Sequence, residues 1–484
     1  MIHRSYRLLD EREQWFLDHL GVFAGGFTAA AAASVCDGDR AVDEGAVRAT
    51  IGSLVQHSLV HAAPAAAGSR YTLLHPIRHF ALEQLEARVR AGPARDRHAV
   101  AMLRLVEEAS REVWGPEEPS WVRRVDDERA DICAAHHHLV SRGETEPAVR
   151  LATAAYWVAW PRAWSDLRGL IGATTVEDLH AAPDVIAPAL GARADLFLHA
   201  GELEMAVHFA DRAVGAAGNR RELSCFGEAV LADVALFGGR TDEAVSQWRT
   251  AREGLGAGSP VPEPWATAAM ALALAYGGRV EDAVRMAADA IRSADVLGCA
   301  TVRAFAHYAA GEAAAGHDAG EARRFLANAI AIATSASGTL VANLARLSLA
   351  TCLARSGHPT RALSYYPVLL QEWRRSGHWA QQWVALRTLV PILVSAGAVH
   401  AAGTILGGLR KHGQADAWGA DADELQAADA AMEATLGEAY DGALARGFAL
   451  TPVDLVLFAE RASGEVPAVE RLTRDAEPSM GRRS

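Results

Sequence analysis

The chain has 484 residues, half of them hydrophobic and 22% charged. That composition excludes a peptide-sized scaffold or a largely disordered chain and predicts several packed domains. The formal net charge of −12 makes it a poor general binder of polyanions.

Alanine supplies much of the apolar half, which favours closely packed helices. Lys411, between Arg410 and His412, is the only lysine. A phosphate-binding loop needs Gly-Lys followed by Ser or Thr, so a complete Walker-type ATPase site is excluded. The cysteines Cys36, Cys133, Cys225, Cys299 and Cys352 are widely separated and never form C-x-x-C. They read as buried thiols of a reducing compartment. No uncharged apolar run of 18 residues occurs and no signal core follows Arg4, Arg7 and Asp10. A cytoplasmic protein without membrane association is expected.

In chain order, Leu8–Leu20 reads as an amphipathic helix, followed by the turn Gly25-Gly26-Phe27-Thr28. Thr28 is a cap for a second helix to Val35, and a third helix is expected over Asp43–His57. Two short β-like runs, Ser58–His61 and Arg70–Leu74, flank a loop rich in Ala, Pro and Gly; helical periodicity resumes over His75–Arg90. Three helices, a hairpin and a helix predict a winged-helix domain over 1–95.

Residues 96–195 are expected to form a helical linker and irregular first repeats, with helices near 148–160 and 175–181 joined by a long connector. Trp157, Trp160, Pro161, Trp164, Pro183 and Pro188 punctuate that stretch.

From about Ala148 to His412 the sequence repeats. GELEMA at 201–206, GRTDEA at 239–244 and GRVEDA at 278–283 continue less cleanly as HDAGEA at 317–322, GHPTRA at 357–362 and GAVHAA at 397–402. The alanines Ala206, Ala244, Ala283, Ala322, Ala362 and Ala402 recur every 38 to 40 residues. Apolar helical stripes before and after each turn predict antiparallel helix pairs. Glycine tolerates the left-handed conformation that ends the first helix, and alanine lets the second approach closely. Stacked pairs bury a continuous core, so residues 196–460 are expected to form a tetratricopeptide-like solenoid. The predicted fold is all-α: a winged helix followed by an α-solenoid of antiparallel helix pairs. The charged, Pro- and Ser-rich end, 461–484, is expected to be disordered.

The segments SYRLLDEREQWFLDHLGVFAGGFTAAAAASVC, SLVQHSLVHA and RYTLLHPIRHFALEQL resemble the winged helix that follows the nucleotide-binding domain in actinobacterial NB-ARC-type signal-transduction ATPases. These include antibiotic-pathway and LuxR-like transcriptional regulators. PSWVRRVDDERADICAAHHHLVSRGETEPAVRLATAAYWVAW resembles their linker to a repeat sensor, and the resemblance covers roughly residues 4–460. It implies that the phosphate-binding loop would precede Ser5 and that the chain corresponds to the C-terminal half of such a regulator. In the family a Met-His-Asp histidine meets the nucleotide. Leu74-His75-Pro76 occupies that place, so the resemblance assigns His75 a nucleotide-sensing position, although Pro76 departs from the pattern. A nucleotide-binding domain would then act in trans.

A winged helix also raises DNA binding through the third helix, with Arg48, Arg70 and Arg78 as candidate contacts. In AVDEGAVRATIGSLVQHSL, however, Arg48 is the only permanent cation, and Asp43 and Glu44 oppose phosphate. His136-His137-His138 project about 100° apart on a helix and do not converge on one metal. Neither G-x-S-x-G nor H-E-x-x-H occurs.

Trp379 and Trp383, one helical turn apart, together with Arg375, Gln382 and Arg387, are the candidate surface for a protein partner or small inducer. The chain is expected to be a non-enzymatic sensor or protein-interaction module of a transcriptional regulator, needing no cofactor. The alternative is a stand-alone DNA-binding regulator.

Overall fold

The computed structural model describes residues 2–36, 44–65, 68–88, 90–176, 181–256, 259 and 261–476. The chain divides into two compact units, one holding residues 1–113, 117–160 and 166–189, the other 114–116, 161–165 and 190–484.

The first unit opens with α1 (Ile2–Arg7) and α2 (Glu11–Leu20). The helix expected from Leu8 starts at Glu11 instead, because Asp10 closes a reciprocal cap. Its Oδ1 accepts from the Glu13 N–H at 2.8 Å, and its own N–H donates to Glu13 Oε2 at 3.0 Å. Strand β1 (Gly26–Phe27) leads into α3 (Ala29–Cys36), which Thr28 caps through Oγ1, accepting from Ala31 N–H at 3.1 Å. Next come α4 (Glu44–Gln56), the hairpin β2 (His61–Ala65) and β3 (Gly68–Thr72), and α5 (His75–Ala87).

The three strands are antiparallel in the order β1-β3-β2, with His61 opposite Thr72 and Gly26 also opposite Thr72. Phe16, Leu17, Leu20, Phe23, Phe27, Ile51, Leu54 and Leu85 form the core of this domain. The unit continues through α6 (Ala91–Glu112), α7 (Glu118–Asp127), α8 (Arg129–Ser141), α9 (Thr145–Ala159) and α10 (Ser165–Gly172). The helix expected at 175–181 is absent at the described residues 175, 176 and 181, and 177–180 lie outside them. Ser165 and Asp166 start a helix earlier, and Leu167, Leu170 and Ile171 bury its apolar side.

Helix α11 (Pro183–Ala200) runs on through Pro188, and the division between the units falls inside it. The second unit then stacks α12 (Leu203–Ala217), α13 (Arg221–Phe237), α14 (Thr241–Gly254), α15 (Glu263–Tyr276) and α16 (Val280–Leu297). It continues with α17 (Ala300–Ala315), α18 (Ala319–Ser335), α19 (Thr339–Arg355), α20 (Pro359–Leu363), α21 (Tyr366–Ser376), α22 (Trp379–Ser395) and α23 (Val399–Lys411).

The turn chemistry follows the repeat. Gly239 and Gly278 take φ of 72° and 75°, and the N–H groups of Arg240 and Arg279 reach the carbonyls of Ala235 and Leu274, both at 2.9 Å. This is the Schellman closure, which a left-handed residue makes possible. Where the repeat carries His317 instead, Asp318 caps α18 by accepting from the Gly320 and Glu321 N–H groups, both at 2.9 Å. All six periodic alanines are fully buried. Leading helices lie inside the stack: in α15 every residue from Pro264 to Leu274 is buried. In the following α16 only the stripe Ala283, Ala287, Ala290 and Ala294 is.

The alternation changes at the C-terminal end. After α23, the irregular stretch 412–419 leads to α24 (Ala420–Leu436), whose Leu425, Ala428 and Met432 join the core of α22 and α23. Helix α25 (Tyr440–Phe448) crosses α23 at backbone contact, because a Cβ on Gly447 would stand 1.9 Å from Thr404 O. Helix α26 (Pro452–Ala476) closes the unit, burying Leu455, Val456 and Ala459. The segment 461–484, expected to be disordered, therefore begins as helix because α26 is already anchored by that apolar face; residues 477–484 lie outside the described ones.

Candidate functional site

On the winged helix, the candidate DNA-contacting residues fall in different settings. Arg48 is exposed on α4, beside exposed Gly45, Ala49, Gly52 and Gln56, none of them basic. Arg70 on β3 is turned inward. Its Nη1 donates to Glu128 Oε1 at 2.6 Å, and its Nη2 to Gly26 O at 2.7 Å and to Asp127 O. The guanidinium joins the hairpin to the α7–α8 junction, and its charge is matched by Glu128. Arg78 is half-buried on α5, and Arg88 pairs with the buried Asp18 at 3.2 Å. Burial pushes the Asp18 carboxyl up to about 6, against the opposing pull of the Tyr6 hydroxyl and Arg88.

His75 is exposed in the first turn of α5, between exposed Leu74 and Pro76. The three consecutive histidines diverge. His136 is buried 2.7 Å from Thr174 Oγ1, His137 is exposed, and His138 meets Asp96 at 2.7 Å. Burial, with a smaller push from His137, lowers the His136 imidazole to about 4. Among the described residues no three His, Cys, Asp or Glu side chains gather in metal-binding fashion. Burial raises the thiols of Cys36 and Cys225 to about 12, and those of Cys133 and Cys352 to about 11, which disfavours the reactive thiolate.

Of the five residues expected to form a partner surface, Arg375 is exposed and Trp379 half-buried. Gln382 is buried and donates to Leu370 O at 3.2 Å, while the buried Trp383 ring stands 5.9 Å from that of Trp379 and 5.8 Å from His412. Arg387 donates to Gln414 O at 3.2 Å, and burial lowers its pKa. These five side chains therefore do not share one open face, because chain from beyond α23 lies over Arg387.

That stretch marks the site which spacing alone had not brought together. Trp418 Nε1 donates to Phe237 O at 3.3 Å, its ring meets Tyr276 edge-on at 5.6 Å, and a Cβ on Gly239 would stand 2.8 Å from its Cγ. Arg355 Nε donates to Glu424 Oε1 at 2.6 Å, and its Nη2 to Asp421 Oδ1 at 3.1 Å. Behind them the hydroxyls of Tyr276 and Tyr308 lie 3.3 Å apart. Burial raises the Glu312 carboxyl. Tyr276 nonetheless keeps 36% of its surface accessible. The C-terminal ends of α13, α15 and α19 thus form a polar edge that solvent reaches at Tyr276, and the non-helical stretch around Trp418 lies on it.

The profile of the winged helix-turn-helix domain family matches residues 9–86. The N-terminal domain is a winged helix-turn-helix. The sheet order, the capped α3 and the hairpin described above are the features that this winged helix-turn-helix displays.

Among solved structures, the chain is similar to a signal-transduction ATPase with numerous domains and a tetratricopeptide-repeat sensor from Pyrococcus horikoshii. The identity is 14% and the TM-score 0.47, over 92% of this chain and 66% of that one. The chain therefore spans just under two thirds of that ATPase. It is also similar to a Rap protein solved with competence and sporulation factor, at 14% identity and TM-score 0.41, over 70% of this chain and 98% of the other. No curated protein matches by sequence. No helix among the described residues is long and apolar enough to cross a membrane.

Proposed function

We propose that the chain is a non-enzymatic sensor and protein-interaction module of a transcriptional regulator, recognising a partner or inducer on the repeat surface. The observation that carries this reading is an edge of the second unit, where Tyr276, Arg355 and Arg387 already engage an irregular stretch of polypeptide and the first turn of α24. Side chains that hold one such stretch are chemically suited to hold another.

The winged helix fits an interdomain role in the same reading. Arg70 and Arg88 are committed to internal ion pairs, so the electrostatic term that dominates DNA affinity is small. His75 and its exposed neighbours Leu74 and Pro76 form a surface for a nucleotide-binding domain acting in trans, as the family resemblance implies. No cofactor of its own is required.

The test is capture with the immobilised full chain from an extract of its source cells, identified by mass spectrometry, with Leu74→Asp and Arg355→Gln chains as controls. A stoichiometric protein partner lost with either variant is expected. Recovery of nucleic acid alone would favour the second reading, a DNA-binding regulator using the winged helix, for which exposed Arg48 is the supporting observation.

A further inference from the structure

The segment Gln414–Glu424 touches residues far from it in sequence. Trp418 lies on Gly239 and bonds the Phe237 carbonyl, 181 positions earlier, and its ring meets Tyr276. Arg355 takes Asp421 and Glu424, and Arg387 takes the carbonyl of Gln414. One short stretch thereby reaches the C-terminal ends of α13, α15 and α19 and the middle of α22.

Three features distinguish this contact from ordinary core. The stretch 412–419 is non-helical and carries left-handed glycines, Gly413 at φ 64° and Gly419 at φ 62°, so its backbone turns at both ends without a side-chain penalty. The ion pairs remain open to water, with Arg355, Asp421 and Glu424 side chains 38%, 46% and 38% exposed, and exposed pairs hold weakly. The anchor is one indole, a group that contributes strongly to recognition when seated against backbone and an aromatic ring.

We propose that the edge formed by Phe237, Gly239, Tyr276, Arg355 and Arg387 is a binding groove for an acidic, tryptophan-bearing segment of a partner protein. Residues 414–424 are its built-in competitor. The chemistry of the occupant is read from the competitor. An indole N–H meets a carbonyl, and carboxylates follow at the third and sixth positions, the second of them one helical turn beyond the first at the start of a helix. The tethered segment has an effective concentration on the order of millimolar, so a partner engages the groove only by outcompeting it. Occupation of the groove and release of 414–424 are then one event.

The inference rests on the reading of the repeats as a partner-binding surface. The test is fluorescence anisotropy of a labelled synthetic peptide spanning residues 412–426 against the full chain, its Trp418→Ala variant and its Asp421→Asn/Glu424→Gln variant. The second variant changes only half-exposed groups and guards against misfolding of the first. Both released chains are expected to bind the peptide at least tenfold more tightly than the unaltered chain, and adding Arg355→Gln is expected to remove that gain. At saturating peptide, amides of 413–424 in the unaltered chain exchange faster with solvent.

Equal binding by all chains, or no binding by either released chain, overturns the proposal. So does dimerisation of the released chain in place of peptide binding, which assigns the groove to a second copy. Loss of partner capture with peptide binding intact counts against the broader reading alone, and the reverse outcome counts against the groove alone.

Discussion

The carboxylate of Asp131 on α8 is held against the backbone of Gly25, 106 residues earlier, accepting from its N–H at 2.9 Å and from the Ala24 N–H at 2.7 Å. The same carboxylate meets His98 Nε2 at 2.9 Å, and neither Asp131 nor His98 is more than 3% exposed. The turn before β1 and the helices after α5 are thus one polar network inside the first unit.

Replacing Asp131 by alanine leaves two part-buried N–H groups and the buried His98 imidazole without their partner. A loss of about 3–5 kcal/mol is expected, as for other broken buried networks. Asp131→Asn keeps an acceptor oxygen and is expected to cost less. Urea unfolding of both variants checks this; a loss below about 1 kcal/mol for the alanine variant would contradict it.

Asp18 gives stability a pH dependence whose sign follows from its raised pKa. Between 3.8 and about 6 the folded protein holds a proton that the unfolded chain has released, so this group's contribution falls as pH rises through that window. His136, lowered to about 4, acts oppositely: stability is lost as pH falls from 6.5 toward 4. The two slopes oppose each other in the unaltered chain. The difference between it and Asp18→Asn, measured by thermal unfolding from pH 4 to 7, isolates the first. The variant is expected to gain relative stability with rising pH, by at most about 3 kcal/mol. A pH-independent difference would contradict the assignment.

The α23–α25 crossing predicts opposite outcomes for two glycines five residues apart on one helix. At Gly447 a Cβ would collide with the Thr404 carbonyl, whereas at exposed Gly442 it would meet nothing within 4 Å. Gly447→Ala is expected to destabilise by about 1–3 kcal/mol through overpacking. Gly442→Ala is expected to stabilise by up to about 1 kcal/mol through helix propensity. Thermal unfolding of the two variants in parallel distinguishes them.

These cases also mark what was legible in the sequence. The periodic alanines and the glycine turns could be read directly, because a Schellman closure and a close helix pair depend on residues within one turn of each other. The winged helix was legible for the same reason, through the Thr28 cap and the hairpin spacing. The Asp10 cap that splits α1 from α2 is equally local, a D-x-x-E signal that the apolar periodicity of 8–20 masked.

The placement of the candidate site was not legible. Arg70 reads as a candidate DNA contact because nothing near it in sequence announces Glu128 as its partner. Trp379 and Trp383 are conspicuous by helical spacing, yet the tryptophan that reaches the ends of α13 and α15 is Trp418, whose partners lie over 140 residues away. Its only local signal is a lone aromatic between two glycines and ahead of an acidic run.

The proposal that the chain recognises protein and not DNA meets its sharpest test in a titration against a fluorescent mixed-sequence duplex. The comparison is made at roughly 50 and 200 mM salt, where phosphate-driven binding changes by orders of magnitude. No saturable binding is predicted at either salt, because Arg48 is the one arginine on α4 and Arg70 is spent on Glu128. Saturable binding that weakens steeply with salt and is lost in Arg48→Ala would contradict the claim.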